Sequence, residues 1–445
     1  MPIAFTPTET EGKDGSPLVP RGNRAAFALV TGLFFLWGIP NNLNDVLIRQ
    51  FMKAFEITRL QAGLVQSAFY IGYFVMSIPA AIVMRRYGYK RGLQVGLLLY
   101  ASGTFLFLPA AHTSSYALFL IALFVIATGL GFLETGANPL VTQLGDAHSS
   151  VRRLNFSQAF NPLGSIMGVL IGTVFIFSGV ELSPAQIEHL KAAGEYGQYL
   201  HAETLRVLAP YLALGVIVLV WALLLSKTPF PEVDTNRSGG SDEMSQGGYS
   251  QLLNYPHTLL AVLAQFCYVG AQVGTWSYFI QYVQDYTHVS EKTAGYLLTG
   301  TLVGFAVGRF TSSQVMRVVE PGRLMGIFAL VNIALVAASM AEPGWFGMIA
   351  LFSTSFFMSL MFPTIFALGL RGLGQNTKPA SSLIVMAIIG GAVFTPLMGF
   401  AYESWHSMAL AMVIPLACYL LVAVYAFWGS NLRPRSGALK PMKSM

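Results

Sequence analysis

Two carboxylates set in otherwise apolar runs, Asp45 and Glu134, are the residues of this chain whose type and position most invite chemistry. The other Asp and Glu residues fall in predicted loops and tails. An ionised group at the centre of a membrane helix costs about 2.5–3.5 kcal/mol on insertion scales, so such acids face a cavity and commonly carry protons. Their neighbours extend the pattern. Asn41 and Asn42 precede Asp45 by four and three residues and share its helical face, and Asn138 stands four after Glu134. Gln158 and Asn161 form a further pair at i, i+3. Any one carboxamide could be interhelical glue, but their convergence with two acids reads jointly as a polar cavity built by the N-terminal half.

The C-terminal half is composed differently. Gln265, Gln272 and Trp276 lie at spacings of seven and four and line one face, and Phe356, Phe357, Phe362 and Phe366 surround Pro363. Carboxylates and amides bind sugar hydroxyls, while aromatic rings cover a sugar's C–H face. Trp37 and Trp276 are the stacking candidates, and Phe362 joins the candidate pocket. Arg309 is the one base inside an apolar run, where a bond to a backbone carbonyl or snorkelling is expected to hold it.

The elements that must position these groups are membrane helices. Of 445 residues 54% are hydrophobic and 10% charged, against about 25% charged in soluble domains. Apolar stretches fall at about 25–48, 61–84, 91–111, 116–144, 153–178 and 207–226, then at about 256–284, 294–316, 321–341, 345–371, 380–400 and 405–429. Each suits a span of about 20 residues. The expected fold is thus an all-α membrane protein of 12 transmembrane helices in two pseudo-symmetric six-helix bundles. Its expected divisions are an N-terminal tail (1–24), a first bundle (25–226), a linker (227–255), a second bundle (256–429) and a C-terminal tail (430–445).

Of the 26 Lys and Arg, nineteen fall on one side of this arrangement if both termini share it, six on the other, and Arg309 within a span. The positive-inside rule then puts both termini and the linker in the cytoplasm. This placement accounts for the net charge of +6 without nucleic acid. A shift of 232 residues carries Gly72, Met84, Arg85 and Arg91 onto Gly304, Met316, Arg317 and Arg323, while Gly96 meets Phe328 and breaks the match. Pro139, Leu144 and Gly145 recur as Pro363, Leu368 and Gly369. Parallel six-span repeats with a site between them are a transporter architecture. Cys267 and Cys418 form no disulfide framework, and the seven histidines form no metal-binding pair, so neither a metal nor an organic cofactor is expected.

The runs Phe34-Phe35-Leu36-Trp37, Asn41-Asn42-Leu43-Asn44-Asp45, Leu133-Glu134 with Ala137-Asn138-Pro139, Gln158 with Phe160-Asn161, and Pro363-Thr364-Ile365-Phe366 resemble the fucose–galactose–proton symporter family. The runs Ala264–Gln272, Ile384-Val385-Met386 and Ile388–Gly391 strengthen the likeness, which spans Phe34 to Phe400. It implies a major facilitator fold in a bacterial inner membrane and proton-coupled uptake of L-fucose by alternating access. It makes Asp45 and Glu134 the proton-handling acids, sets Asn161 beside the sugar, and casts the protein as a monomeric carrier among membrane lipid rather than an enzyme. Phe362 departs from the family's pattern, where Tyr precedes the Pro-Thr-Ile-Phe run, and Pro162 stands where Ser is familiar. Rival readings are a sodium-coupled glucose or galactose carrier and a proton-coupled drug or metabolite antiporter.

Overall fold

The computed structural model describes residues 19–145, 150–230, 249–316, 318–373 and 376–432. Most of the expected 227–255 linker and the outer parts of both tails lie outside the described residues. Six long helical spans form the first half: Arg24–Phe55, Arg59–Tyr87, Tyr89–His112, Tyr116–Gln143, Phe156–Ile176 and Leu208–Lys227. Six more form the second: Pro256–Thr287, Glu291–Val315, Pro321–Ala341, Trp345–Gly369, Ala380–Trp405 and Met408–Asn431. Among the described residues eleven helices are long and apolar enough to cross a membrane. The eighth span, with 25 residues, has the length but carries Glu291, Lys292 and Arg309. Outward stripes such as Ile71, Val75, Ile78 and Ile82 on the second span leave apolar surface that suits lipid.

Each half packs its helices where small residues let backbones meet. The first span lies against the fifth, and no room for a β-carbon exists between Gly164 and the Phe35 carbonyl. The second meets the fourth where Gly72 abuts the Phe124 carbonyl. In the second half Gly308 of the eighth span abuts the Phe356 carbonyl of the tenth. Phe356 is Phe124 shifted by 232, while the glycine has moved on by one helical turn.

The halves meet through three span pairs: second with eleventh, fifth with eighth, and first with seventh. Exchanging the halves swaps the first two pairs and maps the third onto itself, which is what a pseudo-twofold axis requires. We call the side where the first span begins the near face and the side of the Glu56–Thr58 turn the far face. The segment between the fifth and sixth spans, expected to be a loop, forms two helices on the far face, Pro184–Ala192 and Tyr196–Leu205. Ser183 and Gln186 start the former with a reciprocal capping box.

Prolines inside the spans free carbonyls, because each removes the N–H that would bond the residue four before it. Partner spans use them. Tyr100 Oη donates to the Leu36 carbonyl, released by Pro40, at 3.1 Å. Ser67 Oγ donates across the halves to the Ala392 carbonyl, released by Pro396, at 2.6 Å.

Candidate functional site

Asp45 sits on the first span at the junction of the halves, 2% exposed. Its Oδ1 accepts from Gln66 Nε2 of the second span at 2.8 Å and from Ser277 Oγ of the seventh at 2.9 Å. Its Oδ2 accepts from Asn42 Nδ2 at 3.1 Å. Gln66 Nε2 also donates to Ser277 Oγ at 2.9 Å, closing a triangle that crosses the two halves. Among the described residues no cation contacts this carboxylate. Asn41, expected on the same face, is half-buried and stands outside the triangle.

Glu134 lies nearer the near face and keeps accessible surface. By sequence it is the deeper acid, yet Asp45 is the sealed one. The far face is shut over Asp45. Glu134 shares its helix with Asn138, whose Nδ2 donates to the Glu134 carbonyl at 3.0 Å. Gln158 Nε2 of the fifth span donates to Asn138 Oδ1 at 3.3 Å, and Asn161 Nδ2 reaches the Phe34 carbonyl at 3.4 Å. Asn138 and Gln158 are thus joined between the fourth and fifth spans, Glu134 stands one turn before Asn138, and Asn161 is turned to the first span. Tyr70, one turn beyond Gln66, is in electrostatic contact with both Asp45 and Glu134. Gln66, Tyr70 and Ser277 were missed by sequence reasoning. Gln66 and Tyr70 stand at i, i+4 in an apolar run, the same signal that singled out the asparagines.

The expected aromatic face of the second half is turned differently. Trp276 Nε1 donates to Ser355 Oγ at 3.0 Å and its ring meets Phe305 edge-on at 5.2 Å. Trp37 packs on Phe34 at 4.3 Å. Gln265 is fully buried and its amide has no partner among the described residues, whereas Gln272 and Phe362 keep accessible surface. The even spacing of Gln265, Gln272 and Trp276 therefore does not give one open face, because the seventh span packs on several neighbours around its circumference. Arg309 takes the expected carbonyl: its Nε donates to the Ser359 oxygen, freed by Pro363, at 3.4 Å, and its guanidinium lies 5.0 Å from the Phe305 ring. It shares the inner helix face of Leu298, Leu302 and Phe305, opposite the lipid-side Val303, Val307 and Phe310.

The far face is clasped by charge. Lys53 Nζ lies 3.3 Å from Glu291 and 3.3 Å from Glu203, and Arg59 Nη1 lies 2.7 Å from Asp285. The Arg59 guanidinium stacks 3.6 Å from the Tyr402 ring, and Glu403 accepts from the Leu60 N–H at 3.0 Å. Gln284 bonds Glu181, whose carboxylate also accepts from the Glu291 N–H. The shift of 232 carries Lys53 onto Asp285 and Arg59 onto Glu291, so the two cross-half bridges interchange under the repeat. Glu291 is fully buried and Glu203 4% exposed. The expectation that Asp45 and Glu134 are the only acids inside the spans needs correction at the far-face ends: Asp285 and Glu403 lie in the last turns of the seventh and eleventh helices, and Glu291 opens the eighth rather than preceding it. Glu203 lies on the unforeseen far-face helix Tyr196–Leu205.

Comparison with known proteins adds a lineage to this geometry. The family model for the Major Facilitator Superfamily matches residues 25–388. An Escherichia coli L-fucose-proton symporter is 44% identical over 424 residues, covering 94% of this chain and 95% of the relative. A Brucella abortus glucose/galactose transporter is 35% identical over 408 residues, covering 91% and 94%. The crystal structure of the transporter FucP in the outward conformation is 43% identical, covers 93% of this chain and 100% of its own, and superposes with a TM-score of 0.66.

Proposed function

The chain belongs to the Major Facilitator Superfamily, and from that premise we infer that it is a membrane carrier that takes up L-fucose together with protons by alternating access. The observation that carries the reading is Asp45: a carboxylate sealed from water, held by neutral donors only, and shared between the two halves that must move. An unpaired charge is costly in such a place, so a group that can take up and release a proton suits it.

In this reading the near face is cytoplasmic, with both termini and the 227–255 linker on that side, and the carrier lies in the bacterial inner membrane. The clasped far face is then the closed outer gate. Sugar sits between the halves near Glu134, Asn138, Gln158 and Asn161, with Asn41, Gln272 and Phe362 as further contacts. A protonated carboxyl both donates and accepts and so suits a sugar hydroxyl. In this state Trp37, Gln265 and Trp276 serve the framework. Outside, proton and sugar load together; the halves rock; inside, sugar leaves and the proton follows. One charge crossing 100 mV contributes about 2.3 kcal/mol, enough for roughly 50-fold accumulation.

Phe362 favours one second reading. A ring without a hydroxyl at this position alters the pocket, and a glucose/galactose transporter stands among the relatives. Uptake of labelled L-fucose, D-galactose and D-glucose into proteoliposomes under an imposed pH gradient tests both. L-Fucose accumulation driven by inward protons is expected; a dependence on sodium instead overturns the coupling. For topology, a Ser241→Cys variant should resist an impermeant thiol reagent applied to intact cells, and ready labelling would reverse the orientation.

A further inference from the structure

A symporter's closed outer gate has to form twice in each net cycle. It closes once over the loaded carrier, with its proton, and once over the empty carrier after the proton has gone. Sugar exchange uses only the first closure. Whatever covers the proton-bearing acid must therefore accept it in both states, although a carboxylate needs donors and a carboxylic acid needs one acceptor as well.

Among the groups that bond Asp45, Gln66 is the one whose second amide atom is buried and unengaged among the described residues. Gln66 is 1% exposed; its Nε2 donates to Asp45 Oδ1 and to Ser277 Oγ, while its Oε1 is buried with no partner among the described residues. As arranged, three donors and no acceptor face the carboxylate, which suits the ionised form. Turning the Gln66 amide over exchanges its oxygen and nitrogen while leaving heavy-atom positions nearly unchanged. The oxygen then faces Oδ1, ready to accept from an Asp45 O–H. Ser277, a donor and acceptor by nature, keeps its place in either arrangement. Asn42 keeps its bond to Oδ2, which remains an acceptor in both.

We propose that Gln66 is the proton-adaptive contact of the outer gate: its amide offers N–H to the Asp45 carboxylate and, turned over, C=O to the Asp45 acid, so the gate closes over either form. The step is a plain proton transfer, Asp45–COOH to Asp45–COO⁻ with the proton passing to water. This inference rests on Asp45 being the coupling acid.

The surrounding charged groups are otherwise engaged. On the first span Arg49 and Lys53 face Glu181, Glu203 and Glu291, and on the second Arg59 holds Asp285 of the seventh. Glu134 of the fourth span faces Tyr70 and Tyr73. On the seventh, Tyr268 and Tyr278 donate to the Met358 and Arg59 carbonyls. From the eleventh, Glu403 bonds the Leu60 N–H. The fifth span offers Thr173, bonded to its own Val169 carbonyl. Tyr70 is the titratable group in electrostatic contact with Asp45 itself.

The test compares L-fucose exchange at equal pH with accumulation under a pH gradient in proteoliposomes. Gln66→Glu offers only an acceptor when ionised, so its gate closes only while the two acids share a proton. Its ratio of accumulation to exchange should fall by roughly tenfold, the scale of one charge-assisted hydrogen bond, and its exchange should become steeper in pH. Gln66→Met serves neither form, so exchange and accumulation should fall together with their ratio unchanged. Asp45→Asn, measured alongside, checks the underlying reading. If the wild type shows no proton-driven accumulation, or Asp45→Asn keeps it, that reading fails and takes this proposal with it. If both behave as expected but Gln66→Glu keeps the wild-type ratio and pH profile, the proposal alone is overturned. Should Gln66→Glu fail to fold, wild-type rates in Gln66→Met overturn it equally.

Discussion

Superposing the two repeats by their numbering sets unlike residues at like positions. Asp45 corresponds to Ser277, Gln66 to Leu298 and Tyr70 to Leu302. By the offset that relates Pro139 to Pro363, Glu134 corresponds to Met358 and Asn138 to Phe362. The first half supplies acids and amides; the second supplies a hydroxyl, rings and aliphatic chains. At the far face the division is by sign, with Lys53 and Arg59 in one half and Asp285 and Glu291 in the other. A duplicated helical frame thus kept its packing while its chemistry separated. The two acids in the interior of the spans, Asp45 and Glu134, both belong to one half, and the other provides what that half closes against.

Changes that erase or exchange this division should rank by what they remove. The largest effect is expected from Asp45→Asn, which keeps shape and most hydrogen bonding but holds no proton. Accumulation, up to roughly 50-fold from 100 mV in the native carrier, should collapse to equilibration while sugar binding persists. If proton and sugar stabilise one another, L-fucose affinity must rise as pH falls, and this dependence should flatten in an Asp45→Asn/Glu134→Gln pair. A pair that still accumulates sugar would place the proton path elsewhere.

In the second half, Trp276→Ala should cost about 3 kcal/mol of stability, because the ring fills a packed site and its loss leaves a cavity beside Phe305 and removes the bond to Ser355. Detergent-extracted protein should melt several degrees lower. A loss of binding with an unchanged melting point would return Trp276 to the pocket and blur the contrast.

Arg59→Asp should weaken the clasp by about 1.5–3 kcal/mol, the range for hydrogen bonds to charged groups. Reagent applied outside should then label a Gln281→Cys reporter beneath it faster. Exchanging the pair, Arg59→Asp with Asp285→Arg, should restore slow labelling, as expected for coupled residues. Restoration would show that sign is divided between the halves only by descent; failure would tie each charge to its own half.

The smallest effect is expected from Gln158→Ala. It removes one partly exposed amide, so L-fucose affinity should fall by up to roughly tenfold with folding intact. Unchanged affinity would move the amides of the first half from the sugar to the scaffold.

Much of this was legible in the chain. Hydropathy alone separates the spans, because a bilayer tolerates few alternatives to apolar helices. Asp45 and Glu134 stand out because charge there is rare. What stayed hidden depended on contacts between distant segments. Glu291 and Glu203 look like loop acids until the fold buries both around Lys53. Ser277 is unremarkable beside Trp276 until the halves close and bring it to Asp45. Gln265 shows the reverse: its spacing matches a lining residue, yet the helices around it leave it no opening.

The carbonyls freed by prolines have a genetic consequence. At Pro396 the function lies in what the residue withholds, and the beneficiary is Ser67, over three hundred positions away. Pro396→Ala would mend its own helix and reclaim the Ala392 oxygen, leaving the serine hydroxyl without a mate. Either substitution alone severs the same tie, so together they should cost little more than one, whereas unrelated changes would add. The same epistasis is expected between Pro40 and Tyr100, and between Pro363 and Arg309. In this protein such pairs would co-vary without their side chains needing to touch.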